Sequence, residues 1–220
     1  MVKPKIIAGL NLKGGCGKTS LIMNLGGILH KQNHSPIVID LDPQKSATRW
    51  AMQGEGRLSF PVHNLCLKKG IKNFKSSLEK LCKETNAKTV LIDCPPELDD
   101  PALIAALLAD LVLIPITPSP LDIWAGENAI TTVQEAREER GGKAPKVMLV
   151  PTKLIPNTVL AKEIHMTLKE LGEPIAPPIY QRVAIVETAI AGTTIDQYAP
   201  RSASYKEFHA LTKHILKTIK

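Results

Sequence analysis

A glycine-rich segment near the amino terminus constrains the fold more than any other part of the sequence. Gly14, Gly15 and Gly17 lie between two apolar stretches, and Lys18 and Thr19 follow the last glycine directly. Glycines let backbone N–H groups converge on phosphate oxygens, because no Cβ blocks the approach. A helix that begins there adds the positive end of its dipole. The segment therefore predicts a phosphate-binding loop between a buried strand and a helix.

Each polar residue of this loop has a separate expected role. We expect Lys18 to hold the β- and γ-phosphates, Thr19 to offer its hydroxyl to Mg²⁺ and Ser20 to bond the α-phosphate. Cys16 is interpreted as a small apolar filler. A glycine-rich turn that only caps a helix is the alternative, but such a turn needs neither the lysine nor the hydroxyl.

Apolar runs alternate with helical patterns along the chain. Runs rich in Val, Ile and Leu without polar alternation predict strands buried on both faces. The predicted strands are 6–11, 36–40, 89–93, 111–116 and 146–151. The predicted helices are 18–31, 71–85, 101–109, 123–140, 158–171 and 202–219. This order predicts an α/β fold with a mostly parallel, twisted sheet covered by helices on both faces.

Length and composition favour one domain. The chain has 220 residues, which suits a single core, and no apolar run approaches the ~20 residues of a membrane span. We expect residues 1–220 to form one domain without an N-terminal helix-turn-helix domain, since little sequence precedes the loop. The four cysteines show no metal-binding spacing, which favours a reduced, cytoplasmic protein.

Carboxylates follow two predicted strands directly. Asp40 ends one strand with Asp42 two residues later, and Asp93 ends another before Cys94. Ligands of α/β sheets gather at the carboxyl ends of the strands, and carboxylate oxygens are ligands for Mg²⁺. Asp93 on its rigid strand is therefore expected to reach the metal. Cys94 is interpreted as a second filler, and Asp99 and Asp100 as caps of the next helix.

The loop departs from the usual G-x-x-x-x-G-K-[ST] pattern. Leu12 stands where the first glycine belongs, and the segment reads K-G-G-C-G-K-T from Lys13. This form resembles the deviant Walker A loop of the ParA/MinD ATPases, which implies the P-loop NTPase fold and ATP with Mg²⁺. The resemblance implies that Lys13 reaches the partner subunit's nucleotide. A lysine that only faces solvent is the alternative.

Other segments carry the same resemblance over nearly the whole chain. The segment "DLDPQKSAT" from Asp40 resembles the family's switch segment, and "IDCPP" around Asp93 resembles its second switch. The resemblance implies that Asp42 orients or activates the attacking water and that Asp40 supports the magnesium site. The implied metal residues are Thr19, Asp40 and Asp93, and the implied catalytic residues are Lys13, Lys18 and Asp42.

Adenine recognition is assigned by position in the family alone. Thr152 and Lys153 follow a predicted strand at the place where relatives contact the base, and Pro177 and Pro178 would pack on the ring. Ordinary loop prolines are the alternative. Together with the loop residues, these complete the expected ATP site: Lys13, Gly14, Gly15, Cys16, Gly17, Lys18, Thr19, Ser20, Thr152, Lys153, Pro177 and Pro178.

The charge distribution points to a polyanionic partner. The net charge is +7 and the pI about 9.2, and the excess lies in a lysine-rich stretch at 62–88 and in the last twenty residues. A solvated lysine-rich face is the alternative. The candidate DNA contacts are Arg182, Arg201, Lys206, Lys213 and Lys217. The group from Lys68 to Lys83 would serve equally.

The resemblance implies a Mg²⁺-dependent ATPase of the small plasmid-partition type. Such a protein forms an ATP-dependent homodimer, binds non-specific DNA on the nucleoid, and is stimulated by a ParB-like adaptor to segregate a plasmid or chromosome. The same machinery could position a protein organelle, because the cargo leaves no trace in the sequence. A MinD-type membrane ATPase is a further alternative, since Phe208, Leu211 and Ile215 share one face of the last helix. The last alternative function is that of a metabolic P-loop kinase.

Overall fold

A six-stranded parallel sheet organises the chain. The computed structural model describes residues 3–65, 70–96, 100–142 and 144–220. Within these ranges the strand order is β3-β2-β4-β1-β5-β6, and every pairing is parallel. Each change of strand therefore requires a crossover, which helices supply on both faces. The predicted α/β class, the parallel sheet and the covering of both its faces by helices are confirmed.

The elements alternate along the chain. The strands are β1 (Lys5–Gly9), β2 (Pro36–Asp40), β3 (Val62–Asn64), β4 (Thr89–Asp93), β5 (Leu111–Ile116) and β6 (Lys146–Pro151). The helices are α1 (Lys18–Lys31), α2 (Ser46–Gln53), α3 (Gly70–Thr85), α4 (Asp100–Leu108), α5 (Pro120–Glu139), α6 (Val159–Lys169), α7 (Val183–Ala191), α8 (Ile195–Tyr198) and α9 (Ala203–Thr218).

Two apolar clusters sandwich the sheet. One cluster joins a strand face to α3, α4, α5 and α6, and the other joins the opposite face to α1, α2, α8 and α9. Strands β2, β4 and β5 are buried at every position, which explains their unbroken runs of Val, Ile and Leu. The apolar strand sequences are therefore the direct cause of the two-sided packing.

Four elements were not predicted from the sequence, and a fifth has clearly different bounds. Strand β3 and helices α2, α7 and α8 were not predicted, and β1 is Lys5–Gly9 where Ile6–Asn11 was expected. Strand β3 has three residues, none of them buried, so it carries no apolar run. Helix α2 buries only two residues and α7 only one, so each contributes few residues to the core. Asp99 lies outside the described residues, as does the side chain of Asp100.

Helix α9 packs its apolar face on the protein itself. Phe208, Leu211 and Ile215 are almost fully buried and contact residues of α1 and the sheet in one cluster. An interfacial membrane helix needs that face to meet lipid, so the membrane alternative drawn from this stripe is wrong. Within the described ranges, none of the helices combines the length and the apolar character needed to span a bilayer.

The strand register brings polar positions into one row. Asp93 at the end of β4 pairs with Gly9 on one side and with Asp40 on the other. Gly9 lies just before the glycine loop, so the loop and both acidic strand ends meet at the carboxyl edge of the sheet. This edge positions the candidate site.

Candidate active site

The glycine loop follows β1 and continues into α1. Gly15 and Gly17 have φ values of +81° and +97°, a region that L side chains rarely adopt. Gly17 is the N-cap of α1, and no side chain of the described residues caps this end. The first-turn N–H groups therefore point toward the loop, which suits a phosphate group. This geometry fits the predicted phosphate site.

Lys18 is buried inside the loop. Its Nζ donates to the carbonyl oxygens of Asn11 at 2.9 Å and of Lys13 at 3.0 Å. Asn11 in turn donates from Nδ2 to the carbonyl of Pro115 and accepts from the backbone N–H of Lys13 at 2.9 Å. Asn11 thus ties the loop to β5. Sequence reasoning missed this role, although an amide directly after a buried strand was a visible signal.

The end of β4 provides a site that fits Mg²⁺. The hydroxyl of Thr19 donates to Oδ2 of Asp93 at 2.7 Å, and Oδ1 of Asp93 is buried with no hydrogen-bond partner among the described residues. Burial raises the pKa of Asp93 to about 7. A buried, unpartnered carboxylate oxygen beside a hydroxyl is a strong reason to expect a cation there.

The donor set is that of a phosphate-bound magnesium and not of a protein cage. The described residues contain no cluster of three or more His, Cys, Asp or Glu side chains that could hold a metal alone. Mg²⁺ is commonly held by one or two carboxylates together with substrate phosphates and water. Thr19 and Asp93 would therefore hold the ion together with the nucleotide.

Asp40 and Asp42 shape the segment after β2. Asp40 is fully buried, and its Oδ2 accepts from the backbone N–H and the hydroxyl of Thr48, at 2.8 and 2.7 Å. Its Oδ1 accepts from the N–H of Asp42, whose own Oδ1 accepts from the N–H of Gln44. Asp40 thus anchors the start of α2, and direct metal coordination by Asp40 stays a prediction. Asp42 is partly exposed at the same edge.

Lys13 lies on the outside of the loop. Its Nζ forms an ion pair with Oδ2 of Asp122 at 2.5 Å, and the two side chains are 38% and 4% exposed. Asp122 stands in the first turn of α5, where a negative charge favours the helix N-terminus. The sequence did not single out Asp122, because only the fold brings it to Lys13. The expected role of Lys13 toward a partner subunit stays a prediction.

The segment after β6 braces the loop from its far side. The hydroxyl of Thr152 donates to the carbonyl of Cys16 at 3.0 Å, and Nζ of Lys153 donates to the carbonyl of Gly15 at 2.6 Å. Both residues therefore adjoin the phosphate loop. Pro177 and Pro178 are partly buried just before Ile179, which bonds to the end of β6. Their expected contact with adenine stays a prediction.

The two motif cysteines are packing residues. Cys16 and Cys94 are each 1% exposed. Burial raises the pKa of both thiols, so neither forms the thiolate that a nucleophile needs. Their interpretation as apolar fillers is confirmed.

The candidate DNA contacts do not form one equivalent group. Both Nε and Nη2 of Arg182 donate to Glu207, at 2.9 and 2.7 Å, so this cation is already neutralised within the chain. Lys206, Lys213 and Lys217 are exposed and, at spacings of seven and four, follow one side of α9. Arg201 is exposed just before that helix. Lys68 and Lys69 lie outside the described residues.

The fold and the loop define the chain as a P-loop ATPase, and sequence comparison gives the family. Residues 7–195 match the CobQ/CobB/MinD/ParA nucleotide binding domain, CbiA. The chain belongs to this family and, as the resemblance implied, is an ATPase whose site uses ATP and Mg²⁺.

Relatives cover almost the whole chain. The maintenance of carboxysome distribution protein A of Halothiobacillus neapolitanus is 30% identical over 202 residues, which are 90% of this chain and 89% of that protein. The chromosome-partitioning ATPase Soj of Thermus thermophilus is 25% identical over 98% of each chain. The cell division protein MinD of Aquifex aeolicus has a TM-score of 0.78 at 18% identity, covering 97% of each chain. At that identity the last likeness concerns the fold alone.

Proposed function

We propose that this ATPase is a nucleotide-gated homodimer that binds non-specific DNA and positions a cargo on the nucleoid. The position of Lys13, half-exposed on the outer side of the loop, carries the proposal. Lys18 already serves the loop from within, whereas the amine of Lys13 lies on the outer side with one acidic partner, Asp122. A second cation placed there can reach a triphosphate in a facing subunit.

The surface around Lys13 supports a protein partner. Leu121 and Trp124 flank Asp122 on α5 and are 60% and 57% exposed. Ile155 lies two residues after Lys153, which contacts the loop, and is 56% exposed. Large exposed apolar side chains beside a nucleotide loop favour an interface. Two copies facing each other across their nucleotides would cover them.

The proposed reaction is transfer of the γ-phosphoryl group to water. In it, Lys18 and the loop N–H groups hold the phosphates, and Asp42 orients the attacking water. When bound, Mg²⁺ neutralises charge on the β- and γ-phosphates. Lys13 of the facing subunit supplies further positive charge to the transition state, in the manner of an arginine finger. A lone subunit lacks that charge and should turn over slowly. We expect a ParB-like adaptor to accelerate hydrolysis by reordering the segments that follow β2 and β4.

The exposed side of α9 is the proposed DNA contact. Lys206, Lys213 and Lys217 present a row of charges, and none of them forms an ion pair with another described residue. Contacts from lysine to phosphate need no sequence readout, and a dimer doubles their number. We therefore expect binding that depends on ATP and weakens steeply with salt.

The cargo proposal follows the named relatives. Two carboxysome distribution proteins are 30% and 32% identical to this chain, and Soj is 25% identical. We therefore propose a protein organelle as the favoured cargo and a plasmid or chromosome as the second. Localisation in the cytoplasm, on the nucleoid, belongs to the same proposal.

One experiment tests whether ATP controls both dimerisation and DNA binding. Dimerisation by mass photometry and DNA binding by co-sedimentation are measured with ATP, with ADP and without nucleotide. We expect wild type to pair and bind DNA only with ATP, Lys13→Ala to lose both, and Asp42→Ala to keep both while losing hydrolysis. A Lys13→Ala protein that still pairs and binds DNA would contradict the proposal. Phosphate transfer to a metabolite, with turnover intact in Lys13→Ala, would favour a metabolic kinase instead.

A further inference from the structure

A cavity lies at the edge of the sheet opposite the nucleotide site. It has a volume of about 820 Å³ and is bordered by the start of β1, by α3 and by the end of α4. Ile6 lies near the amino end of β1, whereas the phosphate loop follows its carboxyl end. The strand separates them by on the order of 15 Å. No role proposed above uses this cavity.

The floor of the cavity is apolar and belongs to the core. Ile6, Leu78, Cys82 and Ala87 are all less than 10% exposed and are members of one core cluster. Leu107 and Leu108 of α4 pack against that cluster and also line the cavity. A volume of this size, lined mostly by hydrocarbon, is in the range of small-molecule sites in proteins, about 300–1,000 Å³.

The rim of the cavity is strongly cationic. Its charged residues are Lys3, Lys75, Lys83, Lys88 and Arg140, with Glu79 as the one acid among the lining residues. The ion pairs between described residues include none of these six side chains. Arg140 is held at the rim because its Nη1 donates to the carbonyl of Ala109 at 2.5 Å. An apolar floor with positive charge around it is complementary to a ligand that has a hydrocarbon part and a negatively charged group.

We propose that this cavity binds a single-chain amphipathic carboxylate, with the acyl chain on the floor and the carboxylate at the cationic rim. Burial of methylene groups against Leu78 and Leu108 would supply most of the affinity. Lysines at the rim extend their own hydrocarbon stems along such a chain while the amines meet the carboxylate. The site is independent of the nucleotide chemistry.

The shape of the site favours a slender ligand over a protein helix. An amphipathic helix docks on an exposed apolar stripe, but none of the lining residues is among the strongly exposed apolar side chains of the described chain. DNA is also a poor fit to this cavity, because an apolar floor offers nothing to a phosphate backbone. Lys75 and Lys83 nevertheless belong to the lysine group considered above as a DNA contact.

The test is direct binding of dodecanoate to the full chain below its micelle concentration, measured by titration calorimetry. Octanoate and decanoate should bind progressively more weakly, by about 3–4-fold per methylene removed. Dodecanol and dodecyltrimethylammonium should bind at least tenfold more weakly than dodecanoate, since neither matches the rim. Equal binding of the cationic and anionic amphiphiles would overturn the proposal.

A thiol reports where the ligand binds. Cys82 lines the cavity at 9% exposed, whereas Cys16 and Cys94 are 1% exposed. Dodecanoate should slow alkylation of Cys82 by N-ethylmaleimide at least fivefold, with the modified site located by mass spectrometry. Unchanged labelling of Cys82 at saturating dodecanoate would refute the placement. If phosphatidylglycerol vesicles or an acidic leucine-containing peptide protected Cys82 from alkylation and dodecanoate did not, the proposed ligand would be wrong and the cavity would bind a lipid surface or a peptide instead.

A pair of double variants separates rim charge from general charge. Lys75→Glu with Lys83→Glu should weaken dodecanoate binding at least tenfold. The control, Lys162→Glu with Lys169→Glu on α6, makes the same charge change at exposed positions outside the cavity and should leave binding unchanged. Equal losses in both double variants would contradict a specific site.

Discussion

Replacing Asp122 by asparagine tests whether the ion pair with Lys13 opposes dimerisation. If Lys13 serves the facing subunit, each monomer must first release it from Asp122. The pair joins a half-exposed amine to a buried carboxylate, so its loss costs about 1 kcal/mol, near the upper end for exposed pairs. A symmetric dimer breaks two such pairs, for a total of about 2 kcal/mol. Asp122→Asn should therefore tighten the ATP-dependent dimer by roughly 30-fold.

The assay is sedimentation velocity over a range of protein concentrations with ATP and Mg²⁺. The Asp42→Ala background keeps the nucleotide intact if Asp42 acts as proposed. Glu127→Gln is the matched control, because Glu127 lies on the same helix, is exposed, and forms no ion pair with the described residues. A dimer that is unchanged or weaker in Asp122→Asn would refute the reasoning, since Lys13 would then not leave Asp122 on pairing.

Three further outcomes follow from the structure. Because the pKa of Asp93 is raised to about 7, the metal-free protein should lose stability as pH rises from about 4 to 7. In thermal melts, Mg²⁺ with nucleotide should stabilise the protein more at pH 8 than at pH 6, since the ion binds the deprotonated carboxylate. Asp93→Asn should remove both trends. A Cβ on Gly27 would collide with side chains of 194–196, so Gly27→Ala should lower the free energy of unfolding by about 1–3 kcal/mol in urea titrations. Lys213→Ala should weaken DNA binding and reduce its salt slope by about 1, whereas Arg182→Ala should lower stability and leave DNA binding unchanged.

Local sequence was enough to predict the frame of the site. The strands are continuous apolar runs, the loop carries its own glycines, lysine and threonine, and Asp93 directly follows three apolar residues. Each of these signals lies within a few residues of chain. A parallel sheet places Asp93 at the carboxyl edge, whereas its contact with Thr19 also needs β4 to pair with β1, a pairing that was not predicted.

The contacts that modify the site could not be predicted in this way. Asp122 reaches Lys13 across 109 positions of sequence, and Arg182 finds Glu207 only because α9 packs where it does. Asp40 is read equally well as a metal ligand or as an anchor of α2 until the position of Thr48 is known. In helix α7, Val183, Val186 and Ile190 are exposed to solvent. The apolar residues of this helix therefore do not indicate which of its sides faces the core.

The single row formed by Gly9, Asp93 and Asp40 limits how this protein can change. A shift of one residue in the pairing of β4 would carry Asp93 about 3.3 Å along the sheet and turn its side chain to the other face, away from Thr19. Insertions and deletions within these central strands should therefore abolish ATP turnover even where the fold survives. The connections at the opposite edge hold none of the residues assigned to the nucleotide site, so changes in their length should leave ATP turnover intact.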